Sequence, residues 1–186
     1  MSAPGAEDAV SQPPKQGRDP WLRFALTFGA LALLSEVVYY GVALESEIFQ
    51  RYLETLAQIS GAILRPFTDG IQVRGTLISG SLFTVEIARG CDAYRICALL
   101  AAAMLAFPAP WRDKGVGLVL GLLWLNLLNF VRICGLYLIG GLYYSEFQRA
   151  HVIYFPIFLI ATTVGAWIVW VRWVTRERHG VGSAAA

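Results

Sequence analysis

Four apolar segments dominate this sequence and decide what the chain can fold into. They cover residues 21–44, 91–109, 115–140 and 152–174. A helix rises ~1.5 Å per residue and the apolar core of a bilayer is ~30 Å thick, so about 20 apolar residues make one crossing. The second segment is short and ends at prolines, which cannot continue a helix. The sequence therefore predicts an all-α polytopic membrane protein with about four transmembrane helices in a single membrane domain, residues 21–174.

Charged residues are scarce, and their positions predict the orientation. Only 15% of the 186 residues are charged, against ~25% in a soluble domain. The net charge is +2, without the basic stripe that nucleic-acid binding requires, so no nucleic acid is expected as a partner. Eight Lys or Arg residues flank the segments on the side of both termini and five on the other. The positive-inside rule then places both termini in the cytoplasm.

Residues 45–90 form the one long loop, which is expected outside. Six apolar residues at helical spacing predict a helix lying on the membrane surface: Phe49, Tyr52, Leu53, Leu56, Ile59 and Ile63. Alternation in residues 71–74 and 82–87, around residues 78–81, predicts a short β-hairpin. Residues 1–20 hold four prolines and predict a disordered tail, and residues 175–186 form a second cytoplasmic tail.

Cysteine and histidine are too few for a metal centre. The chain has three cysteines and two histidines, without metal-ligand spacing, and an odd cysteine count leaves at least one thiol free. We expect neither a metal ion nor another cofactor.

Ionisable residues inside a bilayer cost free energy, so the few that are present are functional candidates. Cys91 opens the second segment and His151 precedes the fourth, both on the outer side. Arg132 lies ~26 Å along the third segment, in its outer third. The topology thus predicts a thiol, a guanidinium and an imidazole at one depth. A thiol at a helix start has a lowered pKa, a histidine can act as base and acid, and an arginine can stabilise an oxyanion or clamp a substrate.

Structural interpretations stand beside these roles. Cys97 and Cys134 are expected to be small packing residues. Arg95 either snorkels to the interface or tunes the thiolate, and Glu36 neutralises Arg132 or Arg95. Asn126 and Asn129 are typical of hydrogen bonding between membrane helices. The competing function is therefore a non-catalytic four-helix scaffold or a small transporter, with Arg132 and Glu36 as a buried ion pair.

Three motifs in chain order resemble a known family. They are Glu86-Ile-Ala-Arg-Gly-Cys91-Asp92-Ala93, then Asn129-Phe-Val-Arg132-Ile, then His151 after a short outer loop. From about residue 83 to 173 the chain resembles the exosortase/archaeosortase family, and most of all the short exosortase H variety. It departs from the family pattern in having Asp92-Ala93 where a small polar residue and glycine usually follow the cysteine. It also has about four spans where longer members have about eight.

The resemblance implies a cysteine transpeptidase or protease of the cytoplasmic (inner) membrane. Its partners would be the lipid bilayer and membrane-anchored proteins that end in a motif, a hydrophobic helix and a basic cluster. It would cut that sorting tail on the periplasmic or outer side through a thioester and pass the acyl group to an acceptor nucleophile of unknown identity. Cys91, Arg132 and His151 would be catalytic, with Arg95, Asn129, Asp92 and Glu86 as substrate-binding or supporting residues.

The hydrophobic helix of the substrate is expected to pack against spans two to four, where glycines permit close approach. These are Gly115, Gly117, Gly121, Gly135, Gly140 and Gly141.

Overall fold

A computed structural model describes residues 19–41 and 46–183, with side chains to Arg176. The helices are α1 (Pro20–Gly41), α2 (Glu47–Leu64), α3 (Tyr94–Ala106), α4 (Trp111–Leu142), α5 (Tyr144–Arg149) and α6 (Phe155–Ser183). A π-helical turn, Ala150–Tyr154, joins α5 to α6. The strands are β1 (Gln72–Arg74), β2 (Leu77–Ser79) and β3 (Thr84–Glu86). The predicted disordered tail lies almost entirely outside the described residues, and α6 continues beyond the predicted end of the fourth span.

Three helices are long and apolar enough to cross a bilayer: Pro20–Gly41, Trp111–Leu142 and Tyr144–Arg176. The prediction of an all-α polytopic membrane protein is confirmed. The second predicted span is a helix of only 13 residues, about 20 Å long. It begins at Tyr94 rather than Cys91, with Ala93 as its N-cap residue, and the Oδ1 atom of Asp92 accepts the Tyr94 N–H at 2.9 Å.

Along the chain, α1, α3, α4 and α6 alternate in direction, so that α3 runs antiparallel to α1 and to α4. The first turn of α3 contacts the last turns of α1, since the Tyr94 hydroxyl donates to the Ser35 carbonyl at 3.2 Å. At the other end, the Lys114 ammonium of α4 donates to the Leu105 carbonyl of α3 at 2.6 Å. We call the end that carries α2, the sheet and α5 the capped end, and the end where α1 and α4 begin the open end.

Apolar packing holds the half of the bundle near the open end. Its buried core consists of Leu100, Met104, Leu125, Trp170 and Val174. Glycines of α4 make room for these and other side chains of the same chain. A Cβ atom would overlap Trp170 at Gly117, Leu100 at Gly121, Phe155 at Gly135, Phe83 at Gly140 and Leu82 at Gly141. These five glycines therefore accommodate side chains of the same chain, whereas a Cβ atom built at Gly115 would meet nothing within 4 Å.

The capped half has its own core, centred on α2. This helix starts at Ser46, whose side chain accepts the Phe49 N–H, a common N-cap. Its apolar face, including Leu53 and Leu56, packs with Ile78 of the sheet and Tyr137 of α4. The sequence predicted the helix. Of its six predicted apolar residues, Phe49, Leu53 and Leu56 are buried against the protein, whereas Tyr52, Ile59 and Ile63 are exposed.

The predicted hairpin is a three-stranded antiparallel sheet in the order β1-β2-β3. Residues 78 and 79, expected in the turn, belong to the central strand, where Ile78 pairs with Val73 and with Val85. Gly75, at φ 58°, turns the chain between β1 and β2, a backbone conformation that glycine adopts without strain. Within the sheet, strand β3 is the one whose backbone lies next to α4.

Exposure along α4 changes abruptly at Arg132. Large apolar residues are exposed along its first part, at Val116, Val119, Leu120, Leu123, Trp124, Leu127 and Val131. From residue 132 to residue 141 none is exposed, because α2, the sheet and the π turn cover this part. The apolar, lipid-compatible surface of α4 thus ends where its arginine begins the covered segment.

Candidate active site

The turn formed by residues 90–93 lies where α1, α2, α3 and α4 meet. Gly90 (φ 90°) and Ala93 (φ 55°) both have left-handed backbone conformations. Between them, the Cys91 N–H donates to the Ala88 carbonyl at 3.0 Å. The turn presents two backbone carbonyls, those of Gly90 and Cys91, towards α4.

Asp92 fixes this turn to three helices. It is only 2% exposed, and its Oδ2 atom accepts the Tyr39 hydroxyl of α1 at 2.6 Å. Its backbone carbonyl accepts the Tyr52 hydroxyl of α2 at 2.9 Å, and its Oδ1 atom accepts the Tyr94 N–H at the start of α3. Sequence reasoning missed Tyr39 and Tyr52, since each lies at least 40 residues from Asp92 in the chain.

Two side chains of α4 bind the carbonyls of the turn. The Asn129 Nδ2 atom donates to the Cys91 carbonyl at 2.8 Å, and the Arg132 guanidinium donates to the Gly90 carbonyl at 3.2 Å. Residues three apart share one face of a helix, so both side chains point the same way. The structure therefore places Asn129 and Arg132 directly beside Cys91, at the level where the lipid-compatible surface of α4 ends.

The pKa of the Cys91 thiol differs from the one expected for a cysteine at a helix start. Burial raises the pKa of the Cys91 thiol above its usual value. The positive charge of Arg132 and the bond to Ala88 oppose this shift, whereas the charge of Asp92 adds to it. Because α3 begins three residues later, Cys91 does not occupy its first turn, and the expected lowering of the thiol pKa is wrong. The resting group is a neutral thiol.

His151 lies in the π-helical turn before α6. Its ring stacks on Phe147 with centroids 6.0 Å apart, and its buried Nδ1 atom has no hydrogen-bond partner among the described residues. The Arg132 charge acts on both His151 and Cys91. No hydrogen bond joins His151 to Cys91 within the described ranges. The positive charge of Arg132 is the electrostatic influence that both residues share.

A cavity of about 180 Å³ opens beside the turn. Its lining residues come from the turn, α3, α4 and α6, and they are Gly90, Asp92, Ala93, Arg95, Ile96, Arg132, Pro156, Leu159 and Ile160. Arg132 is 8% exposed and Asn129 is fully buried. The Nε atom of Arg132 and the Oδ1 atom of Asn129 are buried without a partner among the described side chains. An arginine with an unused N–H beside a cavity can bind a carbonyl or anionic oxygen.

Two other predicted site residues lie differently. The Arg95 guanidinium pairs with Glu36 at 3.3 Å, bonds the Tyr40 hydroxyl and lies 5.3 Å from the centre of the Tyr40 ring. Of the two partners considered for Glu36, the structure selects Arg95, which lines the cavity. Glu86 is exposed on β3, opposite Leu77, and is not among the residues that line the cavity.

All three cysteines are free thiols, and two of them, Cys97 and Cys134, pack between helices. The Cys97 sulfur is 3.9 Å from the Asn126 amide, and the Cys134 sulfur is 3.8 Å from the Ser60 carbonyl. Among the described residues, no three His, Cys, Asp or Glu side chains are grouped so that they could hold a metal ion.

Comparison with known proteins identifies the family. The search of curated proteins gives no match, and the search of solved structures gives none. The family model of the transmembrane exosortase (Exosortase_EpsH) matches residues 17–168, which include the turn, α4 and His151. The resemblance seen in the sequence is confirmed, and the chain belongs to the transmembrane exosortase family.

Proposed function

We propose that this protein is a membrane-embedded cysteine transpeptidase that cleaves C-terminal sorting tails of exported proteins and transfers the released acyl group to an acceptor. One observation carries the proposal. Asn129 and Arg132 hold the carbonyls of Cys91 and Gly90 beside a cavity that Arg132 also lines. The candidate nucleophile thus lies on the turn that this positively charged donor holds, and the donor itself lines the cavity, whereas Cys91 and His151 are not among the lining residues.

The reaction follows from these groups. The Cys91 sulfur attacks the carbonyl carbon of the peptide bond while His151 accepts the thiol proton. The C–N bond then breaks, His151 returns the proton to the leaving amine, and an acyl thioester remains on Cys91. An acceptor nucleophile attacks the thioester while His151 accepts its proton. The C–S bond then breaks, the acyl group stays on the acceptor, and His151 returns the proton to the Cys91 sulfur. The guanidinium of Arg132, which lines the cavity, stabilises the oxyanion of each tetrahedral intermediate.

The raised pKa of Cys91 explains why a base is required. At neutral pH the thiol is protonated, and burial disfavours a standing thiolate. Proton transfer must therefore accompany attack, with the sulfur and the imidazole within about 3 Å of each other. His151 is the one imidazole that the described side chains provide, and binding of substrate brings it into reach.

We infer that the capped end faces the periplasmic or outer side of the cytoplasmic membrane. The excess of Lys and Arg around both termini supports a cytoplasmic open end. The exposed apolar surface of α4 ends at Val131, one residue before Arg132. A sorting tail leaves the bilayer at this same level, where α2 and the sheet cover the turn and limit access of water to a thioester.

The test is cleavage of a tailed substrate by the full chain reconstituted in lipid vesicles. Cys91→Ala should abolish cleavage, whereas Cys97→Ala and Cys134→Ala should retain most of it. Mass spectrometry of stalled enzyme should show a hydroxylamine-sensitive adduct on Cys91. Undiminished cleavage by Cys91→Ala would show that the nucleophile is assigned incorrectly. The non-catalytic alternative loses support because its expected ion pair is absent in the described structure, where Glu36 pairs with Arg95.

A further inference from the structure

An apolar groove runs along α3 between α1 and α6, and we call it the α1–α6 groove. Its volume is about 340 Å³. The residues that define it include Phe28, Ile96, Leu99, Ile160, Val164 and Trp167. The rings of Phe24 and Trp167, 6.3 Å apart, bring α1 and α6 together near the open end.

The α1–α6 groove continues into the active-site cavity. Ile96 of α3 and Ile160 of α6 line both spaces. Along α6 the combined surface extends from Trp167 to Pro156, about 16 Å of helix. The groove and the cavity lined by Arg132 therefore meet at Ile96 and Ile160.

The lining of the groove suits an apolar helix. The Thr163 hydroxyl donates to the Leu159 carbonyl at 2.6 Å. Its hydrogen is therefore already bonded within the protein, and an apolar ligand leaves no donor unsatisfied here. Leu99, Ile160 and Val164 are 44%, 57% and 50% exposed and present aliphatic surface to the bilayer. Between membrane helices the association depends on close van der Waals packing rather than on the hydrophobic effect, so a shaped groove is what a partner helix requires.

A second apolar groove differs from the α1–α6 groove in its relation to the active-site cavity. It lies between α4 and α6, has a volume of about 480 Å³, and is lined by residues such as Leu120, Trp124 and Val169. This α4–α6 groove is larger and also largely apolar, but it shares no lining residue with the active-site cavity. Continuity with the site, rather than volume, distinguishes the two.

We propose that the α1–α6 groove binds the transmembrane helix of the substrate's sorting tail and thereby directs the residues that precede this helix into the cavity at Arg132. This inference rests on the proposed function. A chain that enters the bilayer below the site has to be helical, because lipid offers no partners for backbone N–H and C=O groups. The groove is the surface directly below the cavity against which such a helix can pack.

Cross-linking tests where the helix lies. Two variants of the full chain, each also carrying Cys91→Ala, Cys97→Ala and Cys134→Ala, receive one new cysteine in the α1–α6 groove (Val164→Cys) or in the α4–α6 groove (Leu120→Cys). Both native side chains are exposed, at 50% and 63%. A tailed substrate with one cysteine in its helix is then oxidised with each variant in vesicles. We expect at least tenfold more cross-linked product with Val164→Cys. Equal yields, or more product with Leu120→Cys, would overturn the proposal.

An activity measurement separates the groove from the function on which it rests. In the chain with native cysteines, Val164→Trp should reduce cleavage about tenfold by filling the groove, whereas Leu120→Trp should leave it nearly unchanged. A chain counts as folded when iodoacetamide labels Cys91, which is partly buried, more slowly than in the same chain denatured by SDS, and both variants should meet this criterion. If the unaltered chain cleaves the substrate and Val164→Trp cleaves equally fast, the groove holds only lipid and the proposal is wrong. If the unaltered chain, folded by the same criterion, cleaves no tailed substrate, the proposed function itself is wrong.

Discussion

The two halves of the bundle are held together by different interactions, although α4 passes through both. Near the open end, Leu100, Met104 and Trp170 pack into space left by glycines. In the capped half, buried polar groups bind one another, as Asp92 does with the Tyr39 hydroxyl and Arg132 does with the Gly90 carbonyl. The half near the open end depends on the fit of apolar shapes, whereas the capped half combines an apolar core with hydrogen bonds among buried polar groups.

The difference follows from the surroundings of each half. Apolar helices in lipid gain nothing from burying apolar surface, so close packing at small residues is what holds them. Away from lipid, the capped half can keep carboxylate, amide and guanidinium groups, provided that each finds partners. The candidate chemistry lies at the border, where groups positioned by the capped half meet a cavity that opens above the lipid-exposed groove.

The largest effect is expected from Arg132→Lys in the capped half. Lysine keeps the positive charge but lacks the planar guanidinium, so it cannot both hold the Gly90 carbonyl and serve the oxyanion. We expect cleavage to fall by roughly 10²- to 10³-fold, as on loss of one oxyanion donor. The measurement is the cleavage rate in vesicles. Full activity in this variant would contradict the oxyanion role.

A pH profile separates the charge of Arg132 from its geometry. Arg132→Gln removes a positive charge that lowers the Cys91 pKa, so this pKa should rise and the midpoint of iodoacetamide labelling should move to higher pH. Arg132→Lys should move it less.

The second prediction concerns packing near the open end. In Gly117→Leu the new side chain overlaps the Trp170 ring, and overpacking should cost up to about 3 kcal/mol of unfolding free energy. The matched control is Gly165→Leu, because no atom lies within 4 Å of a Cβ built at Gly165. Unfolding in mixed detergent micelles measures both. Equal stability of the two variants would mean that shape does not hold this half.

The third prediction removes one hydrogen bond from the capped half. Tyr39→Phe keeps the ring but leaves the Oδ2 atom of buried Asp92 without its strongest donor, which should cost about 1.5 kcal/mol. Tyr40→Phe, which loses only an exposed bond to Arg95, should cost less than about 0.5 kcal/mol. The same unfolding assay compares the two variants. A larger loss of stability in Tyr40→Phe than in Tyr39→Phe would show that the bond to Asp92 does not stabilise the capped half.

The smallest effect, and a stabilising one, is expected from Ala93→Gly. Ala93 has a φ of 55°, which costs an L-residue ~1–2 kcal/mol and costs glycine nothing. After the greater chain entropy of glycine and the lost methyl burial are deducted, the gain should stay below about 1 kcal/mol. Ala102→Gly, within α3, should instead destabilise by about 1 kcal/mol. A loss of stability in Ala93→Gly would show that its backbone is not strained.

Sequence patterns predicted the bundle well because apolar length alone identifies membrane helices. The Asn129-x-x-Arg132 spacing also placed both side chains on one face of α4 without any structure. The start of α3 was misplaced by three residues because hydropathy does not register a cap. The signal was present, since Asp92 before an apolar run is typical of a helix start.

The contacts that the sequence did not predict are long-range. Tyr39 and Tyr52 reach Asp92 from other helices, across 53 and 40 residues, and no local pattern encodes such a pairing. The central strand β2 includes Ile78 and Ser79, but the serine and glycine residues at positions 79–81 are typical of a turn, so the sequence pattern predicted a hairpin. Likewise, glycines suited to helix contact do not reveal which helix will approach them, and here Trp170, Leu100 and Phe155 of the same chain do so.

The two bonds from α4 to the turn of residues 90–93 have a consequence for how this protein can diverge in evolution. Asn129 and Arg132 bind backbone carbonyls of residues 90 and 91, atoms that every amino acid carries. Drift in the identity of the turn's side chains therefore leaves these two bonds available, whereas a single insertion or deletion in the turn would displace both carbonyls at once. Selection on this segment should accordingly act more strictly on its length than on its composition.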